Sequence, residues 1–369
     1  MNALSLLMVC TVPTEKSGIP IVIRNLLQAM DKNGMRIGYV SINEPSAAFR
    51  EMMDRLGVKI YVIQREISHP LSYIRALSKV AKGYDVMHVH GNSATMVLEM
   101  IAARMAGCRL RIAHSHTTTC TRKTIDKYAR PLFYRLCNGP MACGLEAGQW
   151  LFRSRHFSVI NNGIDTSKFK FNQEKREEYR HRLGLDDNKW VIGNIGNFVE
   201  PKNHRFLIEI FREFKTIRPE STLLLLGDGP LKQEIMDQVA QYRLQDSVIF
   251  AGSVENPADY MSAMDFIVMP SLHEGLPLTL IEEQANGLSA LVADTITKDA
   301  DLSGRISYRS LNLNAADWAR AIAALIPQAR HDSDSSSDAI ANIRKAGYDI
   351  YEVAARLKEY YHRHTSSKK

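Results

Sequence analysis

The sequence predicts an α/β protein with two tandem doubly wound lobes, each a parallel sheet covered by helices on both faces. Its 369 residues exceed what one ordinary core holds. Apolar, β-branched runs of strand length alternate with longer helical patterns, the signal of parallel strands buried on both sides. That alternation resets once, after Ser158 to Asp165, and then starts again.

In the first lobe, Leu4 to Val12, Arg36 to Ile42, Lys59 to Ile63, Val86 to His90, Leu110 to His116 and Met141 to Cys143 read as strands. Ile19 to Met30, Phe49 to Leu56, Tyr73 to Lys82 and Ala94 to Met105 read as the intervening helices. The apolar start lacks a basic region and runs straight into Thr14-Glu15-Lys16-Ser17-Gly18, so it reads as a first buried strand rather than a secretory signal. A charged stretch, Gln173 to Arg182, follows the reset. The second series has strands at Trp190 to Ile195, Ser221 to Leu226, Ser247 to Phe250, Asp265 to Met269 and Ser289 to Val292. His331 to Asp338 is Ser/Asp-rich and reads as a loop or flexible linker. Ala339 to His362 reads as one long helix or two short ones before a polar tail. No repeat of solenoid period is present, and no apolar run reaches the roughly 18 residues that span a bilayer.

Hydrophobic residues at 45% and charged residues at 24% describe a folded globular chain. Five scattered cysteines, never spaced C-x-x-C, point to free thiols in a reducing compartment and away from a zinc site or disulfide framework. The net charge of +7 is uneven: through Asp165 there are 21 Lys+Arg against 11 Asp+Glu, and the remainder carries 26 against 29. Much of the excess lies at Arg104, Arg109, Arg111, Arg122, Lys123, Lys127, Arg130 and Arg135. Aromatic interleaving is too weak for a single-strand nucleic-acid binder. An anionic membrane surface, a phosphate-bearing acceptor or a plain solvated helix face each fits the patch.

The most specific local signal is Ser271-Leu272-His273-Glu274-Gly275-Leu276-Pro277-Leu278-Thr279-Leu280-Ile281-Glu282, which follows a strand and opens a helix. Such a loop offers an anion free N–H groups and a favourable dipole, and Gly275 permits close backbone approach. Pro277 fits a first helical turn. Glu274 and Glu282 can then face one cleft, and two carboxylates beside a phosphate-binding turn suit a ligand with a sugar at each end of a diphosphate. The plainer alternative makes Glu274 a helix cap and Glu282 a surface residue.

A second loop, Gly193 to His204, also joins a strand to a helix and carries Lys202, a point charge for phosphate or a solvated lysine. Neither its glycines nor Leu226-Gly227-Asp228-Gly229-Pro230 make a dinucleotide fingerprint. In the first lobe, Glu15-Lys16-Ser17-Gly18-Ile19 sits where a phosphate-facing turn is expected. His88, His90, His114 and His116 end two strands. With no carboxylate or cysteine partner nearby in sequence, no metal is expected there, and a hydrogen bond to substrate is the better role.

Taken together, these pieces resemble the retaining, family 4 type glycosyltransferases of the GT-B fold. Glu274 through Glu282 looks like their E-x7-E motif. D-V-M-H-V-H-G from Asp85, R-I-A-H-S-H-T from Arg111, V-I-N-N-G-I-D from Val159, G-N-F-V-E-P-K-N-H from Gly196 and L-L-G-D-G-P-L from Leu225 occur in the expected order. The likeness spans residues 3 to 362 and is strongest to bacterial exopolysaccharide and capsule enzymes. It implies a Rossmann-like acceptor lobe over residues 1–165, a donor lobe over 166–345, and a C-terminal helix over 346–369 that returns to the first lobe.

The resemblance implies that Glu282 binds the donor ribose, and that Glu274 with the backbone at Gly275 and Leu276 holds the transferred hexose. Backbone N–H groups around Leu278 and Thr279 with Lys202 would hold the diphosphate. Gly18 would underlie it from the other lobe, His116 would face the donor sugar, and Gly252, Ser253 and Val254 would lie near the base. Two departures concern the phosphates: Ser17-Gly18 stands where relatives have two glycines, and Asn197 stands where many have arginine, with Arg205 as a candidate substitute. Asp294 to Arg305 replaces the usual glycine-rich stretch.

The implied reaction is hexose transfer with retention from a nucleotide-diphosphate sugar to a saccharide or lipid-linked acceptor. It would use no cofactor or metal and would run on the cytoplasmic side of a membrane. Asp299-Ala300-Asp301 and Asp332-Ser333-Asp334 are taken as loop composition rather than metal-binding D-x-D. A nucleotide-sugar epimerase or hydrolase on the same fold, and a degenerate non-catalytic binding subunit, are the alternatives.

Overall fold

The computed structural model describes residues 3–14, 18–65, 69–186, 188–326 and 331–366. The chain divides into two compact units, Met1–Gly163 with Gly347–Lys369, and Ile164–Ala346.

The first unit carries strands β1 (Leu4–Cys10), β2 (Met35–Ser41), β3 (Lys59–Val62), β4 (Val86–Gly91), β5 (Leu110–Ser115), β6 (Gly139–Ala142) and β7 (Ser158–Val159). Helices α1 (Gly18–Ala29), α2 (Ala47–Arg55), α3 (Pro70–Ala81), α4 (Val97–Ala106), α5 (Lys123–Leu136) and α6 (Leu145–Phe152) connect them. The strand order is β3-β2-β1-β4-β5-β6-β7. Every pairing is parallel. All seven residues of β1 are buried, as a central strand requires. Glu15, Lys16 and Ser17 of the turn after β1 lie outside the described residues; Gly18 is the first residue of α1.

The second unit runs α7 (Gln173–Arg182), β8 (Trp190–Ile195), α8 (His204–Ile217), β9 (Ser221–Leu226), α9 (Lys232–Gln241), β10 (Val248–Gly252), α10 (Pro257–Ala263), β11 (Phe266–Met269), α11 (Leu278–Ala285), β12 (Ser289–Ala293), β13 (Ile306–Arg309), α12 (Ala315–Leu325) and α13 (Ser333–Lys345). Its parallel sheet has the order β10-β9-β8-β11-β12-β13. Both sheets therefore reverse direction beside their first strand, at β1/β4 and at β8/β11, and ligands of open α/β sheets bind outside the carboxyl ends of such a pair.

The last helix, α14 (Ile350–Ser366), belongs to the first unit. Ile350, Val353, Ala354, Leu357 and Tyr361 bury with β1, β4, β5 and α1 in one core. Lys358 reaches Asp31 at 2.7 Å, which holds that carboxyl below its ordinary range. A Cβ on Gly163 would meet the Ile350 Cα at 2.8 Å, so the chain can pass only as glycine there.

The expected linker over His331 to Asp338 is corrected: α13 starts inside it. Asp332 is the N-cap, its side chain accepting from Ser335 N while Ser335 Oγ accepts from Asp332 N, a reciprocal capping box. Ser336 is fully buried, donating to Ala285 O at 2.7 Å and accepting from Phe171 N at 3.0 Å. Serine and aspartate mark loops by composition, but they are also the strongest helix caps. Strand β13 and helix α5 were not anticipated either; β13 has only four residues, and a proline interrupts the α5 pattern at Pro131.

Gly287 closes α11 with φ +89°, and a Cβ there would meet Ser336 N at 2.8 Å. Gly287→Ala is expected to cost about 2 kcal/mol or more through left-handed strain and the forced shift of α13, read as a lower denaturant midpoint at unchanged slope.

Candidate active site

The two strands at the reversal of the second sheet, β8 and β11, each end in one of the loops singled out by sequence. After β8 the chain makes a tight turn at Glu200–Lys202 and enters α8 through Asn203, whose φ is +56°. After β11 it runs through Ser271 to Pro277 and enters α11. Asn203 Nδ2 donates to Pro270 O at 3.0 Å and Leu272 N donates to Pro201 O at 2.8 Å, clamping the loops side by side.

Across that clamp the Lys202 ammonium lies 2.6 Å from Glu274 Oε1, both side chains mostly shielded. A Cβ on Gly196 would lie 3.3 Å from the Lys202 Cδ and Cε, so glycine leaves the lysine stem its path. Gly227 and Gly229 serve the scaffold: with φ of +139° and +158°, they approach Gly196 O and Phe198 O at 2.1 and 2.6 Å of a would-be Cβ. Backbone bonds Gly196 N to Leu226 O, Phe198 N to Asp228 O and Gly227 N to Gly252 O knit three strand ends together.

Helix α11 begins at Leu278, with Pro277 as its N-cap at φ −74° and ψ 110° and no side-chain capping bond. Pro277 therefore sits one position before the first helical turn in which it was expected. This leaves the first N–H groups, around Leu278 and Thr279, without a capping side chain, as an anion site needs. Gly275 is exposed with open space over its Cα. Leu276 and the half-buried Glu282 flank the turn on the loop and the helix. Gly252, Ser253 and Val254 leave the end of β10, joined through Gly252 O to Gly227. Asn197 is exposed at the tip of its loop. Arg205 is corrected as a substitute for arginine at that position, because its guanidinium is held by Glu200, with a 2.6 Å contact, and by Glu234.

Several buried polar atoms on β8, on the loop after β11 and on α11 have no hydrogen-bond partner: Asn194 Oδ1, Ser271 Oγ, Thr279 Oγ1 and both oxygens of Glu283. Native interiors rarely leave such groups unmade, so each of them calls for water or a ligand. Glu283 was missed by sequence reading. Burial pushes its carboxyl well above the ordinary range, Glu282 and Glu274 push the same way, and Lys202 opposes them. Its only sequence signal is that it directly follows the motif glutamate. Gln284 bridges to the next loop, donating to Ala300 O at 2.8 Å and accepting from Leu302 N and Ser303 N at 2.9 and 3.0 Å. Asp294 to Arg305 thus has a firm tie to α11 in place of glycines. Of the D-x-D strings, Asp332 is a helix cap and Asp301 accepts from Gly304 N at 2.8 Å.

In the first unit, His88 and His90 of β4 and His114 and His116 at the end of β5 form a stack on one sheet face. His88 Nε2 meets His114 Nδ1 at 3.2 Å, His90 Nδ1 meets His116 Nε2 at 3.0 Å, and His88 Nδ1 meets the Tyr361 hydroxyl at 2.7 Å. Three of them, His88, His90 and His114, have ring nitrogens within 4.8 Å of one another. Their planes tilt by only 15° to 33°, and the buried His90 Nε2 and His114 Nε2 have no hydrogen-bond partner. Burial lowers the pKa of each ring, His116 to about 4, and leaves the stack neutral at pH 7. His116 lies at the carboxyl end of β5, with Gly18 after β1 at the reversal of this sheet.

Two tandem parallel sheets of this order, each reversing beside its first strand, are the architecture of the GT-B class of glycosyltransferases. Residues 16–168 match the glycosyltransferase family 4 model and residues 175–345 the model for glycosyl transferases group 1. The chain is 30% identical over 363 residues, 94% of each protein, to the putative glycosyltransferase EpsF of Bacillus subtilis. It is 26% identical over 245 residues, 62% of each, to the UDP-Gal:alpha-D-GlcNAc-diphosphoundecaprenol alpha-1,3-galactosyltransferase of Escherichia coli. The crystal structure of Anabaena HepE in complex with UDP superposes with a TM-score of 0.79 at 17% identity, covering 97% of this chain and 99% of that one. The chain belongs to the group 1 and family 4 glycosyltransferases.

Two pH effects follow. Depressed histidines bind protons more readily unfolded than folded, so stability is complete above about pH 6.5 and falls as pH drops toward 4. The unfolding midpoint should decline over that window, and His114→Gln should flatten the slope. Glu283 has the opposite sign: its raised folded pKa makes stability fall as pH rises above the ordinary glutamate value near 4.5. Glu283→Gln should raise the melting temperature at pH 8 more than at pH 5.

Proposed function

We propose that the chain transfers a hexose, with retention, from a nucleotide-diphosphate sugar to a saccharide or lipid-linked acceptor in polysaccharide assembly. The observation that carries this reading is Lys202 held at 2.6 Å from Glu274 beside the uncapped start of α11. Cleaving the anomeric carbon to phosphate bond leaves negative charge on a diphosphate, and stabilising that charge dominates the barrier. Lys202 and the N–H groups of Leu278 and Thr279 supply positive potential at one spot. Metal-independent catalysis is the form of the reaction these groups support.

Glu274, with the backbone of Gly275 and Leu276, takes the hexose hydroxyls. Glu282 takes the ribose, Gly252, Ser253 and Val254 border the base, and Asn197 lies at the phosphate rim. His116, neutral at physiological pH, acts as a hydrogen-bonding group toward the sugar, and Gly18 offers backbone to the diphosphate. The name of the Escherichia coli relative gives a UDP-sugar donor and a diphosphoundecaprenol-linked acceptor, which supports the same donor and acceptor classes here.

Glu282→Ala should raise the donor KM about tenfold, and Lys202→Ala should lower kcat about 100-fold with a smaller effect on KM. Unchanged steady-state constants in either variant would refute the assigned role. Calorimetric titration with uridine, guanosine and adenosine diphosphates, followed by turnover with and without acceptor, separates the alternatives. Free sugar or an isomer released without acceptor identifies a hydrolase or epimerase, and nucleotide binding without turnover identifies a binding subunit.

A further inference from the structure

The roles assigned to the second unit's site leave Glu283 unused. It lies on α11 directly after Glu282 and one turn after Thr279, with 1% of its surface exposed. Neither of its carboxyl oxygens has a hydrogen-bond partner among the described residues. A carboxylate taken out of water with no ion pair and no hydrogen bond costs far more than the proton that neutralises it. The form that fits this place is the uncharged acid.

Its position gives that proton a consequence. Leu278 and Thr279 open α11 with no capping side chain, and their N–H groups are where the diphosphate is proposed to sit. At 3.6 residues per turn, Glu283 falls on the helix face that carries Thr279, about 6 Å further along the axis. Thr279 Oγ1 is likewise buried and unpartnered, and one water between hydroxyl and carboxyl would satisfy both. Three charged groups act on Glu283: Glu274 from the loop after β11 and Glu282 of its own helix favour the proton, and Lys202 from the loop after β8 opposes it. An ionised Glu283 would set three carboxylates against one ammonium where a diphosphate has to be received.

We infer that Glu283 is a further residue of the donor site, a carboxylic acid that keeps its proton while the diphosphate is bound, so that donor binding and protonation of this group favour each other. The inference rests on the donor reading above and deepens it. A diphosphate engages the Lys202 ammonium and adds negative charge at the head of α11, and both changes hold the Glu283 proton more tightly. Affinity is therefore full where the free protein is already protonated. It falls as pH rises through the free-protein pKa, which lies well above the ordinary glutamate range. A glutamine would be neutral at every pH; glutamate makes the site answer to protons.

Calorimetric titration of the full chain with uridine diphosphate, from about pH 6 to about pH 9 in two buffers of different ionisation enthalpy, reads the coupling. Across that range the unaltered chain should lose about tenfold more affinity than Glu283→Gln does. It should also take up protons on binding beyond those taken up by the variant. The amide is neutral and close in shape, so the comparison removes the titration of the nucleotide itself. With no nucleotide present, the infrared carbonyl band of a protonated carboxyl should be seen at about pH 7 and be missing in Glu283→Gln.

Parallel pH profiles of the two chains, or an infrared spectrum showing Glu283 ionised at neutral pH, would overturn the inference. Affinity that rises with sodium or potassium only in the unaltered chain would overturn it too, because the carboxylate would then carry a metal cation in place of the proton. Nucleotide binding with parallel profiles removes the coupling and leaves the donor reading standing. Failure of uridine, guanosine and adenosine diphosphates alike to bind the unaltered chain removes the donor reading and the coupling with it.

Discussion

The site of the second unit depends on one constraint: β8 and β11 are neighbours in the sheet although two strands and their helices separate them in sequence. Their following helices leave toward opposite faces, so the loops at their carboxyl ends meet with no helix between them. The bonds from Asn203 to Pro270 and from Leu272 to Pro201 hold that meeting in place. The pairing of Lys202 with Glu274 follows, since each side chain projects from a clamped loop. A lysine free in solvent would have to give up rotamer entropy on binding phosphate; here the carboxylate has already gathered it in.

Glycine is used in two different ways around this clamp. Gly227 and Gly229 let one loop's backbone press on another, where any side chain would collide with a carbonyl. Gly275 has open space above it. The first kind builds the platform and the second leaves room for a ligand, a distinction that composition alone does not draw. The buried, unbonded oxygens of Glu283, Thr279 and Ser271 belong to the same loop and helix, after β11, that carry Glu274 and the start of α11.

In the first unit a comparable economy appears around the histidines. Their alternation on β4 and β5 places all four on the sheet face that α14 covers, with Tyr361 closing the inner end of the stack. Burial keeps them neutral, so they act as hydrogen-bonding groups and as an acid-sensitive feature of the fold. The basic character of the same unit divides under inspection. Arg111 and Arg130 are spent on backbone carbonyls and Asp126, whereas Arg122, Lys123, Lys127 and Arg135 are exposed.

Local pattern by itself determined the α/β class, the strands from Leu4 onward and the two loops that carry Lys202 and Glu274, because strand-length apolar runs and helix starts are written in neighbouring residues. It also determined the spacing of Glu274 and Glu282. It misread His331 to Asp338, where the same serines and aspartate serve a helix cap, since capping and loop formation use the same side-chain chemistry. Only the tertiary structure decided that Lys202 meets Glu274, that Arg205 is engaged by Glu200 and Glu234, that Glu283 is buried, and which face of α5 looks outward. Those outcomes turn on strand order and on contacts between residues distant in sequence, which periodicity along the chain does not encode.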